Sequence, residues 1–513
     1  VHDGGSVRID PAARLAVAVW DVELAPRARL RLALGVRGEP QERTISRAAP
    51  RSAQAPWPGR ALRVTGDHDA LVLACTRSVE DIDALRIHDD ALSPEPVIAA
   101  GAPWFMTLFG RDSIIASLMA LPADPSLALA TAQALAELQG TANVPGTDEQ
   151  PGRILHELRR GGPTISLFLH GPVYYGTADA TPLFVLLVTA LARAGVPRAA
   201  IDALRPAVDR ALGWLAGPGD ADGDGFVEYA AATSDGLVNQ GWKDSWDAIA
   251  FPDGRLARPP IALAEVQAYA YAAWLGGAWL AERSGDAARA AERRARARRL
   301  RTAFHARFVG PTGEVAIALD ADGRRVDAVA SNTGHCLWCG LLEPELARRA
   351  ARRLLGPDLW SGWGVRTLAS TMARYDPLSY HNGSVWSHDN AILAAGLRRA
   401  GDDAGARQVA EGLLDAAAAF DGQLPELFAG SARDAFPEPI PYPGACSPQA
   451  WASASPLLLL TTLAGLGSRD GVLVAHPLPG LGRLEIDGVW HAGARHRIVI
   501  ADDRADVRVL ARG

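Results

Sequence analysis

The chain has 513 residues, a formal net charge of -6 and 48% hydrophobic residues, enough for one large domain with one or two small ones. That charge argues against a broadly basic nucleic-acid surface, and no apolar run reaches the length of a membrane span. The N-terminus has neither a basic start nor an apolar signal segment, so cytoplasmic residence is the expectation.

Residues 1–80 hold strand-like runs at 15–20 and 30–34 between Pro, Gly and Arg loops and predict a small β region, the tail of a larger sandwich. A short linking helix is expected at 81–86. Alanine- and leucine-rich helices then follow at 113–121, 125–138, 182–194, 198–215, 261–284, 287–308, 331–341, 344–355, 365–373, 385–400, 403–419 and 448–465. Connections that alternate between short and long are what helical hairpins give when they close into a ring, so the expected fold is mainly α, an (α/α)6 barrel over 81–466. An open solenoid would keep a constant period, which these loops do not. Strands at 471–475, 483–486, 496–500 and 507–510 predict a β appendage over 467–513.

The loops carry most of the chemistry, and long loops in a compact domain are usually functional. Residues 239–247 read Asn-Gln-Gly-Trp-Lys-Asp-Ser-Trp-Asp, and Lys243 is the only lysine in a chain that uses arginine everywhere else. A position where the two cations are not interchangeable is one reading of that. Asp244, walled by indoles, is a candidate general acid because desolvation disfavours its charged form; a tryptophan-rich turn with a capping Asp is the plain alternative. A Lys243 that orients Asp244 would also lower the pKa of that acid, against the needs of the role.

The loop before the first expected long helix carries Trp104, Phe105, Arg111 and Asp112, which either cap the helix or hold vicinal hydroxyls over an aromatic floor. Tyr174, Tyr175 and Asp179 share a glycine-flanked loop. Residues 220–226 resemble half of a calcium loop, but Ala231 stands where a bidentate Glu is required, so turn chemistry is expected and no metal is assigned. Residues 381–390 gather His381, Trp386, His388 and Asp389 without a metal-ligand spacing. Cys336 and Cys339 have redox spacing in an apolar helix and read as core. Glu426, between a proline and apolar residues, completes a pair with Asp244: glycoside hydrolysis with inversion needs one protonated acid and one ionised base about 6.5–9.5 Å apart.

Segments 104–113, 239–249, 381–390, 424–430 and 442–451, in this order, resemble the catalytic region of the bacterial amylo-α-1,6-glucosidase, or glycogen debranching enzyme-related, family of the six-hairpin glycosidase superfamily. The resemblance covers about residues 78–466. It implies Asp244 as general acid and Glu426 as general base, with Trp104, Arg111, Asp112, Trp242 and His388 shaping the sugar subsite. Phe105, Tyr175, Gln240, Lys243 and Trp386 are further candidates for substrate contact. The β region before residue 80 is shorter than the N-terminal domain of that family, and Ser387 stands where the family has proline. The activity expected is inverting hydrolysis of α-linked glucosides from the non-reducing end, on an oligosaccharide or α-glucoside substrate, without cofactor, nucleic acid or membrane. A phosphorylase on the same barrel and a non-catalytic carbohydrate-binding protein are the alternatives.

Overall fold

A computed structural model describes residues 5–10, 15–20, 62–88, 92–93, 95–159, 172–469 and 471–512. The chain divides into two compact units, Val1–Gln54 and Ala55–Gly513. In the first, strands Gly5–Asp10 and Leu15–Trp20 pair antiparallel, with Gly5 opposite Trp20. The expected strand at 30–34 lies outside the described residues.

The second unit is built on twelve α-helices among the described residues: α1 (Asp69–Ala84), α2 (Arg111–Ala120), α3 (Pro125–Glu137), α4 (Ala180–Arg193), α5 (Arg198–Leu215), α6 (Ala264–Arg283), α7 (Ala287–Arg307), α8 (Thr333–Cys339), α9 (Pro344–Leu354), α10 (Ser387–Arg399), α11 (Asp403–Ala419) and α12 (Ala450–Ala464). The even-numbered helices pack in succession, α2 on α4, α4 on α6, α6 on α8, α8 on α10 and α10 on α12, and α12 returns to α2. The odd-numbered helices lie outside them, as α7 does on α6 and α9 on α8.

Composition separates the two layers. Helix α12 is buried along almost its whole length, as a helix apolar all round must be, whereas α9 buries only Ala350, Ala351 and Leu354 and turns its arginines outward. Local chemistry sets the ends. Asp124, Asp286 and Asp402 each accept a backbone N–H at the start of α3, α7 and α11. Gly340 and Gly465 take the left-handed conformation that ends α8 and α12.

Two expected elements differ. Helix α1 starts at Asp69, inside the stretch read as β, because the run Leu71, Val72, Leu73 resembles a strand until packing on α11 and α12 decides its state. Residues 365–373 form no helix. Their backbone is held from elsewhere: Asn390 bonds both the N–H and the carbonyl of Val365, and the N–H of Thr367 reaches the carbonyl of Ser384. A segment whose polar groups are satisfied sideways gains nothing from helical bonds.

The C-terminal strands Leu484–His491, Ala494–Ala501 and Arg504–Arg512 form an antiparallel sheet, and Arg63–Gly66 adds the fourth strand beside Leu484–His491. No helix among the described residues is long and apolar enough to cross a membrane.

Candidate active site

The inner helices bring their N-terminal ends to one side of the ring, and the chemistry gathers there: Arg111 and Asp112 open α2, Asp179 precedes α4, Ser387 opens α10 and Gln449 precedes α12. Arg111 is buried among carboxylates. Its Nη2 donates to Asp244 at 2.5 Å, its Nη1 lies 3.7 Å from Asp179, and its Nε lies 3.9 Å from Asp112. Asp112 also accepts from the Gln449 amide at 3.2 Å. Burial pushes the Asp112 carboxyl up to about 7, against the pull of Arg111 and with help from Glu426 and Asp244.

The loop holding Asp244 is fixed from below. Asn239 accepts from the Tyr229 hydroxyl at 2.9 Å and donates to the Ser245 carbonyl at 2.7 Å, and Ser245 Oγ lies 2.7 Å from His381 Nδ1. Asp244 itself keeps 28% of its side-chain surface exposed. Desolvation raises its pKa, and the Arg111 ion pair pulls the other way.

Glu426 stands on another loop, locked to the start of α10 by strand pairing of Val385 with Phe428 and Trp386 with Leu427. Tyr380 donates its hydroxyl to Glu426 Oε1 at 2.6 Å, and the Cys446 N–H donates to Oε2 at 2.9 Å. Desolvation raises the Glu426 pKa; these two donors favour its ionised form, and the Asp244 charge opposes it. The field of Asp244 therefore reaches Glu426, and the fields of both reach Asp112.

The structure thus brings Arg111, Asp112, Asp244 and Glu426 together. Trp104 joins them at the surface, 60% exposed, with its indole N–H donating to the Gly444 carbonyl at 3.2 Å. Phe105 is half-buried against Phe109. Other expected contacts are turned inward. Gln240 is fully buried, accepting from Arg153 at 2.6 Å and donating to Asp148 at 3.1 Å. The Tyr175 hydroxyl donates to the Leu138 carbonyl at 2.8 Å. Trp386 donates to the Tyr380 carbonyl at 2.7 Å. His388, completely buried, stacks on Trp451 with ring centres 3.8 Å apart, and its burial holds its pKa well below the usual value, so it is a neutral packing group. Trp242 packs edge-on against His388 and Trp386 and is buried as well.

Lys243 is the clearest correction. Its ammonium donates to Asn332 Oδ1 at 2.7 Å and to the Thr367 carbonyl at 2.6 Å, and burial lowers its pKa to about 8. It ties the loop of Asp244 to α8, while the cation on Asp244 is Arg111. Tyr380, Gln449 and Cys446 are given no role by the sequence; Gln449 and Cys446 fall in the segment 442–451 that carries the resemblance, and Tyr380 lies one residue before the His381 segment. Cys336 and Cys339 are buried free thiols, as core packing requires. In the loop 220–226 the N–H groups of Asp224 and Phe226 bond to Asp222 and Asp224, the expected turn chemistry, and one carboxylate oxygen from each of Asp220, Asp222 and Asp224 lies within 4.8 Å of the others.

Residues 176–429 match the family described as mannosylglycerate hydrolase MGH1-like glycoside hydrolase domain. Among solved structures, the GH63 mannosylglycerate hydrolase from Thermus thermophilus is 15% identical over 75% of this chain and 100% of its own, with a TM-score of 0.55. A GH78 family rhamnosidase of a Bacillus species is 15% identical over 88% of this chain and 42% of its own, with a TM-score of 0.61. A sialidase is 10% identical over 88% of this chain and 40% of its own, at 0.62. No curated protein matches. At these identities the structural likeness is one of fold. The family match, to a glycoside hydrolase domain, spans just under half of the chain, and the helical content agrees with the fold of these structures.

Proposed function

We propose that the protein is an inverting glycoside hydrolase built on an (α/α)6 barrel, with Asp244 as general acid and Glu426 as general base. The observation that carries this reading is the unequal holding of two carboxyls within each other's field at one end of the helical ring. Glu426 receives a hydrogen bond on each oxygen, which favours the carboxylate a base must be against the desolvation that raises its pKa overall. Asp244 is partly open and is raised above the ordinary range by burial, as an acid needs. Asp244 gives its proton to the glycosidic oxygen as the bond to the anomeric carbon breaks. Glu426 takes a proton from the water that attacks that carbon from the opposite face, so the configuration inverts. The substrate is an α-linked glucoside, attacked from the non-reducing end as in amylo-α-1,6-glucosidases.

A second reading has one observation in its favour: the match of residues 176–429 to an MGH1-like domain points to a mannosylglycerate-type substrate. Turnover of isomaltose and of mannosylglycerate, each with wild type, Asp244→Asn and Glu426→Gln, tests both. Each substitution is expected to cut kcat by about 10²–10⁴-fold. A Glu426→Gln enzyme that stays active in phosphate would favour a phosphorylase, and sugar binding without turnover in all three proteins would leave a recognition module.

A further inference from the structure

Among the tryptophans whose side chains the structure describes, Trp104 at 60% and Trp246 at 64% are exposed. Their positions are related. Trp104 is hydrogen-bonded to Gly444, two residues from the Cys446 N–H that holds Glu426, and Trp246 is two residues beyond Asp244. A lone exposed apolar residue is ordinary on a protein surface. Here each open indole is tied by sequence or by a short chain of bonds to one of the two carboxyls, while Trp242, Trp386 and Trp451 are buried.

The Trp246 indole stands on a rigid base. Ser245 is held by Asn239 and His381, and the Arg374 guanidinium lies 5.8 Å from the Trp246 ring centre. Arg374 is itself engaged, its Nε donating to the Gly254 carbonyl at 2.6 Å and its Nη1 lying 3.9 Å from Asp247. The general acid stands on the leaving-group side of the bond it protonates, and Trp246, two residues after Asp244 in this fixed loop, is the exposed indole nearest to it in sequence.

Resting on the hydrolase reading, we infer that Trp246 is the platform of the leaving-group subsite, and that this subsite takes a neutral pyranose by stacking on its C–H face. Charge selects against an acidic leaving group. Asp244 and Asp247 stand two residues before and one after Trp246, and the cation over its ring is already bonded to protein. An indole stacks on a sugar ring through its large apolar face and needs no charge on the ligand.

A glycosyl fluoride carries the same glycosyl unit but no sugar as leaving group, so it isolates the subsite. Wild type, Trp246→Ala and Trp246→Phe are assayed on α-glucosyl fluoride, isomaltose and α-glucosylglycerate, and on the matching α-mannosyl series. In the series that wild type turns over, Trp246→Ala is expected to lower kcat/KM for the disaccharide about tenfold and to leave the fluoride unchanged. Trp246→Phe should recover most of the loss, and wild type should prefer the disaccharide to the glycerate glycoside. An equal loss on fluoride and disaccharide, no loss on the disaccharide, or a preference for the glycerate glycoside overturns the inference while the hydrolase reading stands. No hydrolysis of either fluoride overturns both.

Discussion

Arg111 and Asp244 meet at 2.5 Å inside the site, with Asp179 and Asp112 also within 4 Å of the guanidinium. The cation holds the candidate acid in place and lowers its pKa, while desolvation raises it, and desolvation is the larger effect. Arg111→Gln removes the opposing contribution. The alkaline limb of the kcat/KM profile should move to higher pH, because Asp244 then keeps its proton longer. Leaving buried carboxylates without their partner should also destabilise the fold by about 3–5 kcal/mol, read by chemical denaturation. An unmoved limb would mean that Asp244 does not set it.

Tyr380 acts on the other carboxyl. Its hydroxyl stabilises ionised Glu426, so Tyr380→Phe should raise the Glu426 pKa and shift the acid limb of the profile to higher pH. The alkaline limb should stay. A pH–rate profile separates this from general damage, which lowers the whole curve.

Asp112 links the site to stability. Its folded pKa of about 7 lies above the ordinary 3.8, so the folded state binds the extra proton. The associated stability is fully present below about pH 3.8 and is lost as pH rises to about 7. Asp112→Asn should therefore gain thermal stability over wild type as the pH goes from 5 to 8, with little gain at the acid end. Melting curves across that range check the sign.

Lys243 is expected to matter for structure, not for titration of the acid. Lys243→Met leaves Asn332 Oδ1 and the Thr367 carbonyl without their donor, at about 1–3 kcal/mol for each buried acceptor. The alkaline limb should remain where it was, since the cation bonded to Asp244 is Arg111. A shifted limb in this variant would restore a direct role.

How far the sequence could be read depended on the kind of signal. Long apolar helices with sharp ends, such as α3 behind Asp124 and Pro125 or α12 before Gly465, are legible because periodicity and caps agree. Helix α1 was hidden because Leu71, Val72 and Leu73 suit a strand locally and only packing on α11 and α12 resolves them. The two carboxyls were visible as acids in apolar, tryptophan-rich company. The direction of each neighbouring side chain was not, since residue type cannot distinguish an indole that lines a pocket from one beneath it. Trp242 and Trp246 occur in one loop, yet one is 2% exposed and the other 64%. His388 and Gln240 followed the same pattern, polar residues in chemistry-rich loops whose partners are protein or packed rings. Lysine's singularity at position 243 did mark a special environment, but the environment was a buried hydrogen-bond network.

The most direct test of the account is the anomer first released from an α-glycoside, followed by proton NMR before mutarotation mixes the signals. Using isomaltose or α-glucosyl fluoride, or the mannosyl counterpart if that is the series turned over, the account predicts initial release of the β-sugar, abolished by Asp244→Asn on the disaccharide and by Glu426→Gln on both substrates. Initial release of the α-sugar would contradict it, since retention requires a carboxylate nucleophile on the anomeric carbon where Glu426 is here assigned to activate water.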